Sequence, residues 1–247
     1  MAVPALKSVA LHQRLQAFRA EDGSLLGEVL RELAQEVERE PRNLIASTIY
    51  GHALVLAGRA QEARREALRG LALWQSLPAV TPEVTLNVVA GLGDAGFVAE
   101  AKRVLESLDA RALDEAGAAR RIDCAAHIAM RYGEIAWLER RHPGHPFVQL
   151  LAARGLTTGW PGLQAAVEAY LGERVASFAA SIEGLEDAHK QLVLNYWTDS
   201  HSYSEIDRLQ DGVWDTADGA AADAPEALYH VVYMIYGPEI PVTEIGP

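Results

Sequence analysis

The 247-residue sequence has little of what several common chemistries require. There is one cysteine, Cys124, so an internal disulfide is excluded and nothing points to an oxidising compartment. No apolar run approaches the ~18–20 residues that span a bilayer, so no membrane association is expected. The first residues meet His12, Gln13 and Arg14 before a long apolar stretch can form, which is a poor match to a signal peptide. The cytoplasm is the expected location. A Gly-rich phosphate loop, a Gly-x-Ser-x-Gly elbow and a His-Glu-x-x-His helix are all missing, so no motif indicates an enzyme class.

Basic residues are scarce in the last third. Residues 1–157 hold 19 Lys+Arg and 19 Asp+Glu, whereas residues 158–247 hold 3 and 15. The whole net charge of −12 therefore lies in the C-terminal part. Such asymmetry suggests two modules with different surfaces, 1–172 and 173–247. It also argues against a nucleic-acid partner, because counterion release at phosphates needs clustered Lys and Arg. The rest of the composition, 49% hydrophobic and 23% charged, is that of a globular chain.

What is present is mostly helical periodicity. Ala5 to Ala20 reads as one amphipathic helix broken by Glu21-Asp22-Gly23. Ser24 can cap a second, on which Leu26, Val29, Leu30, Leu33 and Val37 recur at three- and four-residue steps. Pro41 stops it. Ile49 to Trp74 then reads as two helices folded back on each other, with the small residues Gly51, Ala53, Ala63 and Ala67 where backbones approach. Gly58 stands at the turn, where a positive φ is cheap only for glycine. Val84 to Leu108 echoes this unit around Gly96, with Ala101 falling 38 residues after Ala63. Ala119 to Arg141 echoes it again around Gly133, with Leu138 a further 37 residues on. Phe147 to Leu156 and Leu163 to Leu171 suggest one more hairpin.

Gly51, Leu54, Gly58, Glu62 and Ala63, with the Pro41-Arg42-Asn43 lead-in, resemble the tetratricopeptide repeat (TPR) over roughly residues 24–141. The spacings exceed the family's ~34-residue period, Leu138 replaces a small residue, and no hairpin has the leading Trp. The resemblance implies a degenerate TPR-like α-solenoid. It also implies a concave groove lined by the first helix of each hairpin: Thr48, His52 and Val55; Glu83 and Asp94; Asp123, His127 and Arg131. The mixed charges there lack a basic clamp for a C-terminal carboxylate, and no such specificity is expected.

After Gly172 the pattern changes. Val175 to Ile182 and Leu192 to Thr198 alternate with period two, with a loop at Gly184-Leu185-Glu186-Asp187. Ser202 can cap a helix from Tyr203 to Ala217. Leu228 to Tyr236 reads as a strand, and Ile240 to Ile245 as a short edge strand. The fold class is therefore mainly α, an α-solenoid followed by a small acidic α+β module. An all-α ending stays open, because an Asp223/Glu226 capping box and the spacing of Leu228, Val231, Val232 and Ile235 also fit a helix.

Several groups are candidates for chemistry or recognition. Cys124 and His127 share a helix face, although a cysteine buried in helix packing is the simpler reading. His142 and His145 sit in a Pro/Gly turn, so neither a metal site nor a cofactor is expected. Asp207, Asp211, Asp215 and Asp218 form an acidic stripe, whose like charges at i, i+4 call for a basic partner or a docked Arg patch. The function expected is a non-enzymatic adaptor that binds another protein or peptide through the groove and the acidic module. An inhibitor or immunity-type protein whose acidic module blocks a basic surface is the alternative. An enzyme built from dispersed residues such as Asp199, His201 and Asp207 is a third class. A homodimer paired through an open sheet edge is a further expectation.

Overall fold

The first helix described along its full length shows why the chain folds as it does. In a computed structural model, which describes residues 10–11, 13–15, 23–184, 190–221 and 225–238, helix α1 spans Gly23–Arg39. Leu26, Val29, Leu30, Leu33 and Val37 are all buried on one face, each contributing about 1.5–3 kcal/mol relative to exposure. That face packs on α2 (Leu44–Leu56). Leu11 and Leu15 join the same buried cluster, while most of the expected helix from Ala5 to Ala20 lies outside the described residues. Ser24 falls inside α1 instead of ahead of it. The side chain that caps here is Asn43, whose Oδ1 accepts from the Ala46 N–H at 3.0 Å and starts α2.

Paired helices follow: α3 (Ala60–Ser76), α4 (Pro82–Asp94), α5 (Val98–Ser107), α6 (Glu115–Tyr132), α7 (Ile135–Arg141), α8 (Pro146–Ala153) and α9 (Trp160–Leu171). Each pair turns on a glycine of positive φ: Gly58 at +67°, Gly96 at +84°, Gly133 at +73° and Gly155 at +67°. Three of these turns share one bonding pattern. Arg59 N–H reaches Leu54 O at 2.9 Å, Phe97 N–H reaches Leu92 O at 2.9 Å, and Leu156 N–H reaches Leu151 O at 2.8 Å. The glycine N–H in each donates to a carbonyl three residues back, so the last carbonyls of the first helix are satisfied. This arrangement of packed antiparallel helices is compatible with a helical repeat. Helices α2, α4, α6 and α9 adjoin one another in sequence, forming one layer.

The C-terminal part adds a three-stranded sheet, β1 (Val175–Glu183), β2 (Gln191–Thr198) and β3 (Val231–Tyr236), in that spatial order. β1 and β2 are antiparallel; β2 and β3 are parallel, connected through α10 (Tyr203–Ala220). The fold is thus mainly α with a small α+β ending, and the all-α alternative is wrong. Leu228 to His230 belongs to a 3-10 turn, Pro225–His230, and the strand proper begins at Val231. β-branched and aromatic side chains in VVYMIY suit a pleat, and parallel pairing with β2 outweighed the helical spacing of the same residues. The capping box at Asp223, the loop from Leu185 and the strand from Ile240 lie outside the described residues. Ser202 occupies the N-cap of α10, but its hydroxyl makes no capping bond.

One sheet face, with Phe178, Leu192, Leu194, Tyr196, Val231, Tyr233 and Ile235, is buried. Gln164 of α9 joins it to the helices, accepting from Tyr196 OH at 2.9 Å and donating to Tyr233 OH at 3.2 Å. A single buried cluster runs from Leu44 through the helices to Ile235, so the core crosses the boundary at which the charge changes. β1 lies against α2, α3, α4 and α6. On β3, the Gln210 side chain donates to Tyr233 O and accepts from Ile235 N–H, both at 2.8 Å, satisfying two backbone groups on the sheet.

Candidate functional site

Helices α2, α3, α4 and α6 and strand β1 border a cavity because many of the residues between them are small. Gly51 of α2, Ala63, Ala67 and Gly70 of α3, Ala90 and Gly91 of α4, and Ala176 of β1 all line it. A Cβ placed on Gly91 would meet nothing within 4 Å, while one on Gly51 would come 3.8 Å from Glu66 Cγ. The volume is about 110 Å³. The register of β1 shifts between Val175 and Ser177, which makes Ala176 an extra residue on that strand. That bulge lets consecutive residues Val175 and Ala176 both turn inward as cavity wall.

A second, more open hollow of about 250 Å³ adjoins the first, sharing Ala90, Asp94 and Arg120 with it. Val89 of α4 and Asp123, Cys124, His127 and Ile128 of α6 complete its lining. His127 Nε2 lies 3.2 Å from Asp94 Oδ1 but is not aligned with it as a hydrogen bond. Arg120 donates to Asn87 Oδ1 across the layer.

Most of the sequence-predicted groove residues meet here. Thr48, His52, Val55 and Asp94 line the first cavity, and Asp94, Asp123 and His127 line the second. Glu83 is exposed in the first turn of α4 and lines neither. Arg131 is not on the groove surface. It is buried, bonded to Glu168 and to the Asp94 carbonyl, since its position near the end of α6 faces α9 and the end of α4. Sequence reasoning missed Ser47, Glu66, Asn87 and Arg120. Glu66 was detectable: Ala63, Glu66, Ala67 and Gly70 fall at i, i+3, i+4 and i+7, a buried face with one acid in it.

The acidic stripe is placed differently from what a docked Arg patch requires. Asp207, Asp211, Asp215 and Asp218 are all exposed on α10, and none has an ion-pair partner among the described residues. Between residues 1–172 and 173–247 an electrostatic contact is made by Glu173, which accepts from Gln61 at 2.7 Å and lies 3.7 Å from Arg64. Packing of α10 is apolar instead, through Leu209, Val213 and Ala217.

Cys124 is a thiol with little nucleophilic character. Burial is the main cause that pushes its pKa up to about 11; Arg120 opposes this, and Asp94 and Asp123 add to it. At pH 7.5 the thiolate fraction is then lower than for an ordinary ~8.5 thiol by about 300-fold. Alkylation by iodoacetamide is expected to be at least ~100-fold slower in the native protein than in urea, rising about tenfold per pH unit up to pH 10. Equal native and unfolded rates at pH 7.5 would remove this account. Neither cavity is lined by Asp199, His201 or Asp207. Among the described residues there is no cluster of three or more potential metal ligands, and no helix is long and apolar enough to cross a membrane.

Comparison with protein-family models, with curated proteins and with solved structures finds no match to this chain.

Proposed function

We propose that this is a non-enzymatic binding protein, whose concave cavity receives a side chain or short apolar segment of a protein partner, in the manner of a TPR-like groove. The observation that carries the reading is the cavity itself: four helices and a bulged strand converge on a lining rich in glycine and alanine that leaves space a close-packed core would fill. Gly91→Leu places a side chain in that space without a backbone clash at Cβ. The variant is expected to keep the native circular-dichroism spectrum and to lose partners that the unmodified protein retains in a cross-linking capture. Retention of the same partners by folded Gly91→Leu would refute the cavity as the binding site.

The exposed carboxylates of α10 favour a second reading, in which an inhibitor-type acidic surface covers a basic partner. Such binding would weaken steeply between low and moderate salt, whereas insertion into the cavity would be far less sensitive. Neutralising Asp211 and Asp215 together separates the two readings, since neither residue lines the cavity.

A further inference from the structure

Glu66 is a carboxylate in a mostly apolar wall that also carries His52, Asp94 and Arg120. It is 9% exposed and belongs to the lining of the cavity between α2, α3, α4 and β1. Its Oε1 accepts from the Ser47 hydroxyl at 2.6 Å and lies 3.6 Å from Arg69 Nη1. Oε2 makes no hydrogen bond among the described residues. That oxygen is not fully buried, so a donor entering the cavity can reach it. Arg69 lies 3.6 Å from the other oxygen.

We infer that the cavity is a site for a primary alkylammonium group, and that its occupant is a lysine side chain of a protein partner. This rests on the binding reading above. The small residues Gly51, Ala67 and Gly91 leave a narrow apolar sleeve, which suits a lysine's methylene stem. At its wall, one free carboxylate oxygen matches the compact ammonium as a point charge. An arginine fork is less well matched, because bidentate pairing needs both oxygens and Ser47 already holds one. The charge of Asp94 on the same lining is offset by Arg120, which also lines the cavity, so Glu66 supplies the remaining negative charge.

The test uses the full-length protein and two probes of equal chain length, n-butylammonium and 1-butanol. Binding is read from the backbone amide shifts of Gly51, Gly70 and Gly91 in nitrogen-15 NMR. Butylammonium is expected to bind more tightly than butanol by about tenfold or more. Glu66→Gln keeps an acceptor for the Ser47 hydroxyl and should bring the two probes level while leaving butanol binding unchanged. Butylguanidinium should bind more weakly than butylammonium. Equal binding of ammonium and alcohol to the unmodified protein overturns the inference while leaving the cavity as a binding site. So does a preference for ammonium that survives Glu66→Gln. If neither probe moves the cavity glycines, the site and its proposed occupant fall together. Equal binding of the two probes to the unmodified protein overturns the inference even if Glu66→Gln fails to fold.

Discussion

Gly133→Ala is expected to destabilise the protein by about 2–5 kcal/mol, while Gly155→Ala costs only about 1–2 kcal/mol. The two glycines have nearly the same backbone, φ +73° and +67°, so the strain of an L-residue in the left-handed region is common to both. They differ in what a Cβ would meet. At Gly155 nothing lies within 4 Å, whereas at Gly133 the backbone Cα of Pro161 stands at 2.6 Å and its carbonyl oxygen at 3.2 Å. Backbone cannot rotate aside as a side chain can, so the first turn of α9 must shift. α9 carries Trp160, Leu163, Val167 and Leu171, all buried, as well as Gln164, which is bonded to both Tyr196 and Tyr233. The displacement therefore reaches the sheet. Urea unfolding at unchanged m reads the difference. Equal losses in the two variants would mean that α9 yields freely and that the close approach has no energetic weight.

The same contrast shows what was legible in the sequence. Gly58, Gly96 and Gly133 were readable as turns because a local backbone requirement selects glycine, and all three have positive φ. The approach of Pro161 to Gly133 was not readable, since nothing local ties residues 28 positions apart. Strands β1 and β2 announced themselves by period-two alternation. β3 was ambiguous because Val231, Val232 and Ile235 satisfy helical spacing as well, and only the parallel partner β2 decides. The residues of α2, α4 and α6 that line the cavities were legible as one face of each helix. That the chain's own β1 lies against that face, with Ala176 lifted into the cavity by a bulge, depends on a register no sequence window contains. The charge boundary near residue 158 is plain in the sequence, yet the buried cluster runs through it, because apolar side chains on α9 and on the sheet share one core.

Arg131 carries the second large expectation. As a residue of α6 facing inward it was read as part of the groove, but the guanidinium is a tie among three helices. Nε donates to Glu168 Oε1 of α9 at 3.0 Å, and Nη1 donates to the carbonyl of Asp94, the last residue of α4, at 2.8 Å. Its neighbour Tyr132 donates to the Gly93 carbonyl at 2.7 Å, with the guanidinium 4.9 Å from the ring centroid. The Asp94 carbonyl is thus satisfied from α6, and the Gly93 carbonyl, which already accepts from Gly96 N–H, gains a second donor, with a positive charge at the negative end of the helix dipole. Arg131→Ala would strand the Glu168 carboxylate, whose side chain is only 16% exposed, together with the Asp94 carbonyl. The expected loss is about 3–5 kcal/mol, a large fraction of the stability of an ordinary domain. Arg131→Lys should fall between, because a single ammonium cannot serve Glu168 and the carbonyl with the geometry of the fork. Pairing Arg131→Met with Glu168→Leu should recover much of the loss, since the cost lies in the unpaired charge more than in the missing bond. If Arg131→Ala costs under about 1 kcal/mol, or the double variant is worse than the sum of its parts, the tie is not what holds α4, α6 and α9 together. Asp94 lines both cavities at the point where Arg131 grips its carbonyl, so the residue first assigned to recognition acts on the site by fixing the wall behind it.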